Sequence, residues 1–313
     1  MKKNRVESLL GKSVFVLAAC LAACLTAAFF AGCKSAPVTA LESVNAFDVL
    51  DDDAALYLSI PAKENSDLLE QFISSLKLGV SESDAKMIVS KLNTVYASFG
   101  SKADKKRVCI SCDANIPDSV SAILKSSGYT EKTVEFDSVY GTNTPYKYYS
   151  SNTLEMAFPS SRNALISKSV VPLIKNYAFE EMVANGCVDF VQEYKADWLD
   201  SDLYKWLTFD TNAIHFYIVR PQSFLSNLLG SAVSSKTFKL NYAKGEFTKL
   251  ANSKYGLTLD LNFQDPKYIK PAMSLLTLAL GLTDSEMQMV DSKTVKLSGV
   301  HISSKQLIDM FTK

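Results

Sequence analysis

Histidine is almost missing: His215 and His301 are the whole supply in 313 residues. A histidine-based triad therefore has two candidate bases, and each sits in an alternating apolar segment where it reads as an ordinary strand residue. Glycine is sparse, 12 in all, and none makes the Gly-rich turn after a strand that cradles a phosphate. The Gly-x-Ser-x-Gly elbow and the His-Glu-x-x-His zinc helix are absent as well. No cofactor and no metal site is expected. Charge of one sign is lacking too, with 33 basic against 33 acidic residues. No basic cluster is interleaved with aromatics, so nucleic acid is not an expected partner. Of six cysteines, Cys20, Cys24 and Cys33 lie in the first 33 residues, leaving Cys109, Cys112 and Cys187. Cys109-x-x-Cys112 falls in a strand-like stretch, where positions three apart face opposite sides, so these thiols read as small hydrophobes rather than as a redox pair. The acidic run Asp48, Asp51, Asp52, Asp53 lacks the alternate spacing of a calcium loop. Asp197, Asp200 and Asp202, beside Trp198 and Trp206, read as a solvated helix edge rather than a sugar cleft.

What the chain does carry is a leader. Lys2, Lys3, Arg5 and Lys12 precede an apolar run, Val14 to Ala31, that stops at Gly32-Cys33, the physical pattern of an export signal. This segment resembles the bacterial lipoprotein signal, in which a short apolar box ends in a small residue before a Cys that receives lipid. Leu17-Ala-Ala-Cys20 and Leu21-Ala-Ala-Cys24 also fit the box. Cys33 is preferred because cutting there exposes Lys34-Ser-Ala-Pro37, whereas cutting at Cys24, the alternative, leaves an apolar mature N-terminus. Phe30 departs from the usual leucine position and brings the box closer to that of spirochaete lipoproteins. The resemblance implies acylation of the palmitate type and tethering to a membrane on the extracytoplasmic side of the bacterial cell envelope. An uncleaved anchor is the competing reading, since about 18 apolar residues just span a bilayer. Loss of the leader removes four basic residues and one acidic, Glu7, so the body is weakly acidic.

Beyond a flexible tether (33–50), strands and helices alternate. A strand at Ala55–Ile60 ends at Pro61 and is followed by helical spacing at Leu68, Leu69, Phe72, Ile73 and Leu76. Later come a helix from Ser81, strands at Val95–Phe99 and Arg107–Ala114, a helix opened by Pro117-Asp118, three further strands, and a helix capped at Ser160-Ser161. Ala213–Ile218 with Pro221 restarts the same order, and Asp265-Pro266 opens a helix to Gly281. The expected fold class is α+β: two similar antiparallel-sheet modules of ferredoxin-like flavour, with helices packed on one face. The expected divisions are a signal peptide (1–32), the tether, a first module (51–175), a helical connector (176–207) and a second module (208–313).

For recognition, the hairpin around Tyr146, Tyr148 and Tyr149 stands out. Alternation sends Tyr146 and Tyr148 to one face and Tyr149 to the other, so one set is expected to be exposed to an envelope protein or a glycan. The reading is of a lipid-anchored envelope lipoprotein with a noncatalytic binding or assembly role. An enzyme without a readable motif and a carrier of a hydrophobic ligand are the alternatives.

Overall fold

The computed structural model describes residues 44–312 apart from internal stretches, the longer of which are 51–53, 76–81, 101–105, 113–123, 138–142, 187–200, 222–224, 226–238 and 282–285. The leader, with Cys20, Cys24 and Cys33, lies outside the described residues. The elements are α1 (Ala46–Val49), β1 (Leu56–Pro61), α2 (Ser66–Ser75), α3 (Glu82–Val89), β2 (Leu92–Phe99), β3 (Lys106–Cys112), β4 (Thr130–Asp137), β5 (Asn143–Ser150), β6 (Glu155–Ala157), β7 (Asn163–Ser167) and α4 (Val171–Ala184). There follow α5 (Ser201–Thr208), β8 (Ile214–Ile218), β9 (Leu240–Lys249), β10 (Lys254–Phe263), a 3-10 turn (Pro266–Tyr268), α6 (Ile269–Leu280), β11 (Met287–Met289), β12 (Thr294–Ser303) and α7 (Ser304–Thr312).

Among the described residues, all twelve strands join one sheet in the order β11-β12-β10-β9-β8-β1-β2-β3-β7-β6-β5-β4. Every pairing is antiparallel, and the seam between the two halves of the chain is β1 against β8, where Leu58 faces Phe216. The two halves of the chain thus contribute to one antiparallel sheet. Neighbouring residues alternate between two cores, as a period of two requires. Leu58, Ile60, Val95, Ile110, Ile214, Phe216, Phe247, Leu259 and Val295 face one side, where α2, α3, α6 and α7 supply Leu69, Phe72, Val89, Leu276 and Leu307. Tyr57, Cys109, Tyr146 and Leu165 face the other, covered by α1, α4 and α5 through Phe47, Tyr177 and Leu207.

Helices therefore lie on both faces, not one. The second layer covers the β1–β7 half because that half presents apolar side chains on both surfaces. Over β9, β10 and β12 the same face carries Tyr242, Lys244, Glu246, Thr258, Asp260, Asn262 and Lys296, half-buried or exposed. A second departure concerns Ser160-Ser161. The segment after it continues as β7, paired with β3 and β6, and the helix begins only at Val171 with Pro172 in its first turn. The helix opened at Asp265-Pro266 forms as its residues dictate. Asp265 accepts from the Lys267 amide at 3.0 Å, and Gly281 closes α6 at φ +66°, a left-handed conformation that suits glycine. Only a few residues of the helices expected near Pro117 and Phe224 are described, among them the buried Leu124 and Leu225.

Candidate functional surface

The tyrosine hairpin folds as two paired strands, β4 and β5, but most of its aromatic surface is inside. Tyr146 is buried and donates to Glu181 Oε2 at 3.0 Å. Burial, with the Glu181 carboxylate beside it, pushes its hydroxyl well above the ordinary tyrosine value. Tyr149 is buried on the opposite face, 6.3 Å from the Phe158 ring. Tyr148 alone keeps partial exposure, with the Lys132 ammonium 5.9 Å from its ring centre. Alternation separates the three as the spacing requires. They pack inward because α4 and the first core close over both faces here.

Sequence reasoning passed over a cluster on the other half of the sheet. His215 on β8 is buried, and its ring stacks on Trp206 of α5 at 4.6 Å and 11°. Its Nδ1 lies 2.6 Å from the Trp206 carbonyl oxygen, which assigns the proton to Nδ1, while Nε2 faces Glu246 Oε2 at 3.4 Å. Burial lowers the imidazole below its ordinary value. The Trp206 carbonyl and Glu246 pull it back upward without overcoming burial. The Lys244 ammonium stands 5.6 Å over the Trp206 ring. His301, the other histidine, is exposed on β12.

From this cluster a polar row crosses the sheet. Strand registers place Tyr217, Lys244, Asp260, Lys296 and Gln288 side by side on β8, β9, β10, β12 and β11. Asp260 sits between two lysines, with its Oδ1 buried and without a hydrogen-bond partner. Burial raises its carboxyl above the ordinary value, while Lys244 and Lys296 oppose the shift. The Tyr217 and Tyr242 rings lie 5.5 Å apart on the same face. The Trp206 carbonyl occupies only Nδ1 of His215, and Nε2 is turned to Glu246. Among the described residues no three His, Cys, Asp or Glu side chains gather as metal ligands. The arrangement offers rings, ammonium groups and carboxylates for binding. Of the acids expected beside the tryptophans, Asp202 is exposed at the start of α5, and Asp197, Asp200 and Trp198 lie outside the described residues.

Similarity to known proteins bears on the whole body. A search of curated proteins finds no significant match. Three solved structures are similar: crystal form I of TP0453, with TM-score 0.61, 20% identity, and 87% of this chain and 98% of that chain covered; crystal form III, with 0.60, 18%, 86% and 98%; and crystal form IV, with 0.60, 17%, 88% and 99%. At these identities the likeness is one of fold, a mixed sheet-and-helix body. The family described as "Outer membrane-associated lipoprotein TP0453" matches residues 41–308, most of the chain. The chain belongs to that family of outer membrane-associated lipoproteins.

Proposed function

We propose that this is an envelope lipoprotein tethered by lipid at Cys33, with a body that binds or assembles rather than catalyses. The observation that carries the reading is the junction in the chain. An export-type leader ends at Gly32-Cys33, and the match to an outer membrane-associated lipoprotein family begins eight residues later, at residue 41. In this reading residues 1–32 are removed, the tether expected over 33–50 ends where α1 (Ala46–Val49) packs Phe47 and Val49 into the second core, the acyl chains are of the palmitate type, and the body lies on the extracytoplasmic side. The looser box at Phe30 fits spirochaete-type processing. A single acyl chain binds a membrane only reversibly, so stable tethering takes more than one. The binding role is supported by the polar row and rings of β8–β12, with Tyr148 as the remaining contribution of the β4–β5 hairpin.

Intact mass of the mature protein, wild type beside Cys33→Ala and Cys24→Ala, tests the anchor. The expected result is a mass beginning at Cys33 with added acyl chains, lost in Cys33→Ala alone. An unprocessed N-terminus would sink the lipoprotein reading in favour of a spanning segment.

The two halves, 51–175 and 208–313, joined by 176–207, are in this reading copies of one unit. Support comes from the strand order outward from the seam, β1-β2-β3-β7 on one side and β8-β9-β10-β12 on the other. An experimental structure in which these two strand sets do not superpose would end that idea.

A further inference from the structure

The two outermost strands of the sheet differ in length. At one side β11 has three residues, whereas at the other β4 runs for eight, Thr130 to Asp137, each in register with β5 on the inner side. Among the described residues no strand pairs with the outer side of β4, so its outward backbone N–H and C=O groups have no ladder to join. The two faces of this edge carry different chemistry, as a period of two requires. Val134 and Phe136 lie on the face of the second core, half-buried, with the Phe136 ring 6.5 Å from that of Tyr146. The second core thus runs out to the last strand and leaves apolar surface at its rim.

Glu131, Thr133, Glu135 and Asp137 lie on the opposite face. Glu131 is neutralised by Lys125 at 2.6 Å and Lys147 at 3.3 Å. Glu135 and Asp137 are exposed and, among the described residues, have no ion-pair or hydrogen-bond partner. Lys132, the one basic residue of the strand, is held by β5, its ammonium donating to Ser150 Oγ at 3.2 Å and standing 5.9 Å from the Tyr148 ring centre.

We propose that the outer side of β4 takes an added strand: an extended segment of a partner protein in which basic and apolar residues alternate. Residues directly opposite one another across a strand pair share a face. An incoming strand therefore sets its apolar residues beside Val134 and Phe136, and its lysines or arginines beside Glu135 and Asp137. The same acids guard the edge against a second copy of the chain, which would bring acid to acid. In this mode of recognition backbone bonds supply the affinity, and the alternating side chains supply the specificity. The chain joins its own halves in the same way, β1 lying against β8 in antiparallel register. This assignment rests on the reading of the body as one that binds or assembles, and adds the partner's chemistry; it uses neither the polar row nor the anchor.

The test is hydrogen exchange of the full purified chain in a neutral detergent, titrated with three synthetic peptides. Ser-Lys-Val-Lys-Val-Lys-Ser carries the matching alternation, Ser-Lys-Lys-Lys-Val-Val-Ser has the same composition without it, and Ser-Glu-Val-Glu-Val-Glu-Ser reverses the charge. At ten times its dissociation constant the first should slow the outward amides of 130–137 about tenfold, with 287–289 of β11 unchanged. The scrambled peptide should leave exchange unaltered, and the acidic one should bind about tenfold more weakly. In Glu135→Lys with Asp137→Lys, two exposed positions, the order should reverse, so that the acidic peptide protects the strand. No slowing by the first peptide, equal slowing by the scrambled one, or a charge-reversed variant that keeps the wild-type order would each overturn the proposal. Protection confined to β9 and β10 would overturn it as well, while leaving the binding reading of the body in place on the polar row. Acylation of the N-terminus does not enter the readout, so failure of the anchor reading leaves the result intact.

Discussion

His215 shows how one residue can look bland in sequence and still govern a contact between elements. Its alternation within β8 predicts burial, and it is buried. What alternation does not carry is the partner, because Trp206 arrives from α5 and Glu246 from β9. The pH consequence follows from the direction of its shift. The folded state holds His215 below 6.5, so between the folded and unfolded values the unfolded chain binds more protons, and stability rises with pH. Its contribution is complete above pH 6.5 and is lost as pH falls through the folded value. Melting temperature measured from pH 7.5 down to 4.5 should therefore fall more steeply in wild type than in His215→Gln; parallel curves would refute the assignment. Gly245 makes a steric counterpart. A Cβ there would lie 2.6 Å from the Phe216 ring and closer still to the Thr258 carbonyl oxygen. Gly245→Val should cost about 1–3 kcal/mol through overpacking, read as a lower denaturant midpoint with unchanged slope.

At the level of elements, legibility tracks how local the determining interactions are. The α6 segment was readable from both ends, since Asp265-Pro266 and Gly281 act within a turn of their own positions. The capping pair of α7 is local as well: Ser303 N donates to Gln306 Oε1 at 2.9 Å, and Gln306 N to Ser303 Oγ at 3.2 Å. The start of α4 is not local. Its Val170 N–H is satisfied by Glu155 Oε2 at 2.9 Å, a carboxylate from β6, whose other oxygen accepts from Ser150 Oγ at 3.0 Å. Ser160-Ser161 has the composition of a cap, but it turns the chain from β6 into β7, with Ser160 Oγ accepting from Arg162 N and Asn163 Nδ2. Glu155→Ala should cost about 1 kcal/mol of stability and speed amide exchange in the first turn of α4, whereas Ser160→Ala should leave that turn unchanged. The outer strand β4 illustrates protection rather than pairing. Glu131, Lys132, Glu135 and Asp137 line it, and Glu131 is held in the ionised form by Lys125 at 2.6 Å and Lys147 at 3.3 Å. In antiparallel pairing of two such edges centred on Thr133, Glu131 of one copy would oppose Glu135 of the other, which disfavours self-association.

The whole molecule turns on the β1–β8 seam. The likeness of Ala55–Ile60 to Ala213–Ile218 was plain in the sequence, as was the Pro that follows each. Direct pairing of the two strands was not, because each reads equally well as the edge of its own module. Register decides it: Leu56, Leu58, Phe216 and Ile218 lie on one face, while Tyr57, Ser59, His215 and Tyr217 share the other. One core then runs through the seam, with Phe216 fully buried and 5.0 Å from Phe247, and a Lys249–Asp67 ion pair of 2.7 Å ties β9 to α2 across the halves. The ion pair is more than a third exposed on its Asp side and adds little; the apolar seam carries the coupling. Phe216→Ala should cost about 3–5 kcal/mol. If the halves fold as one unit, exchange of the core amides of β2 and β9 should accelerate by the same factor in this variant, with one thermal transition. Acceleration confined to β9 and β10 would instead mean two independently stable modules that merely abut, and the single-core account of the sheet would fall.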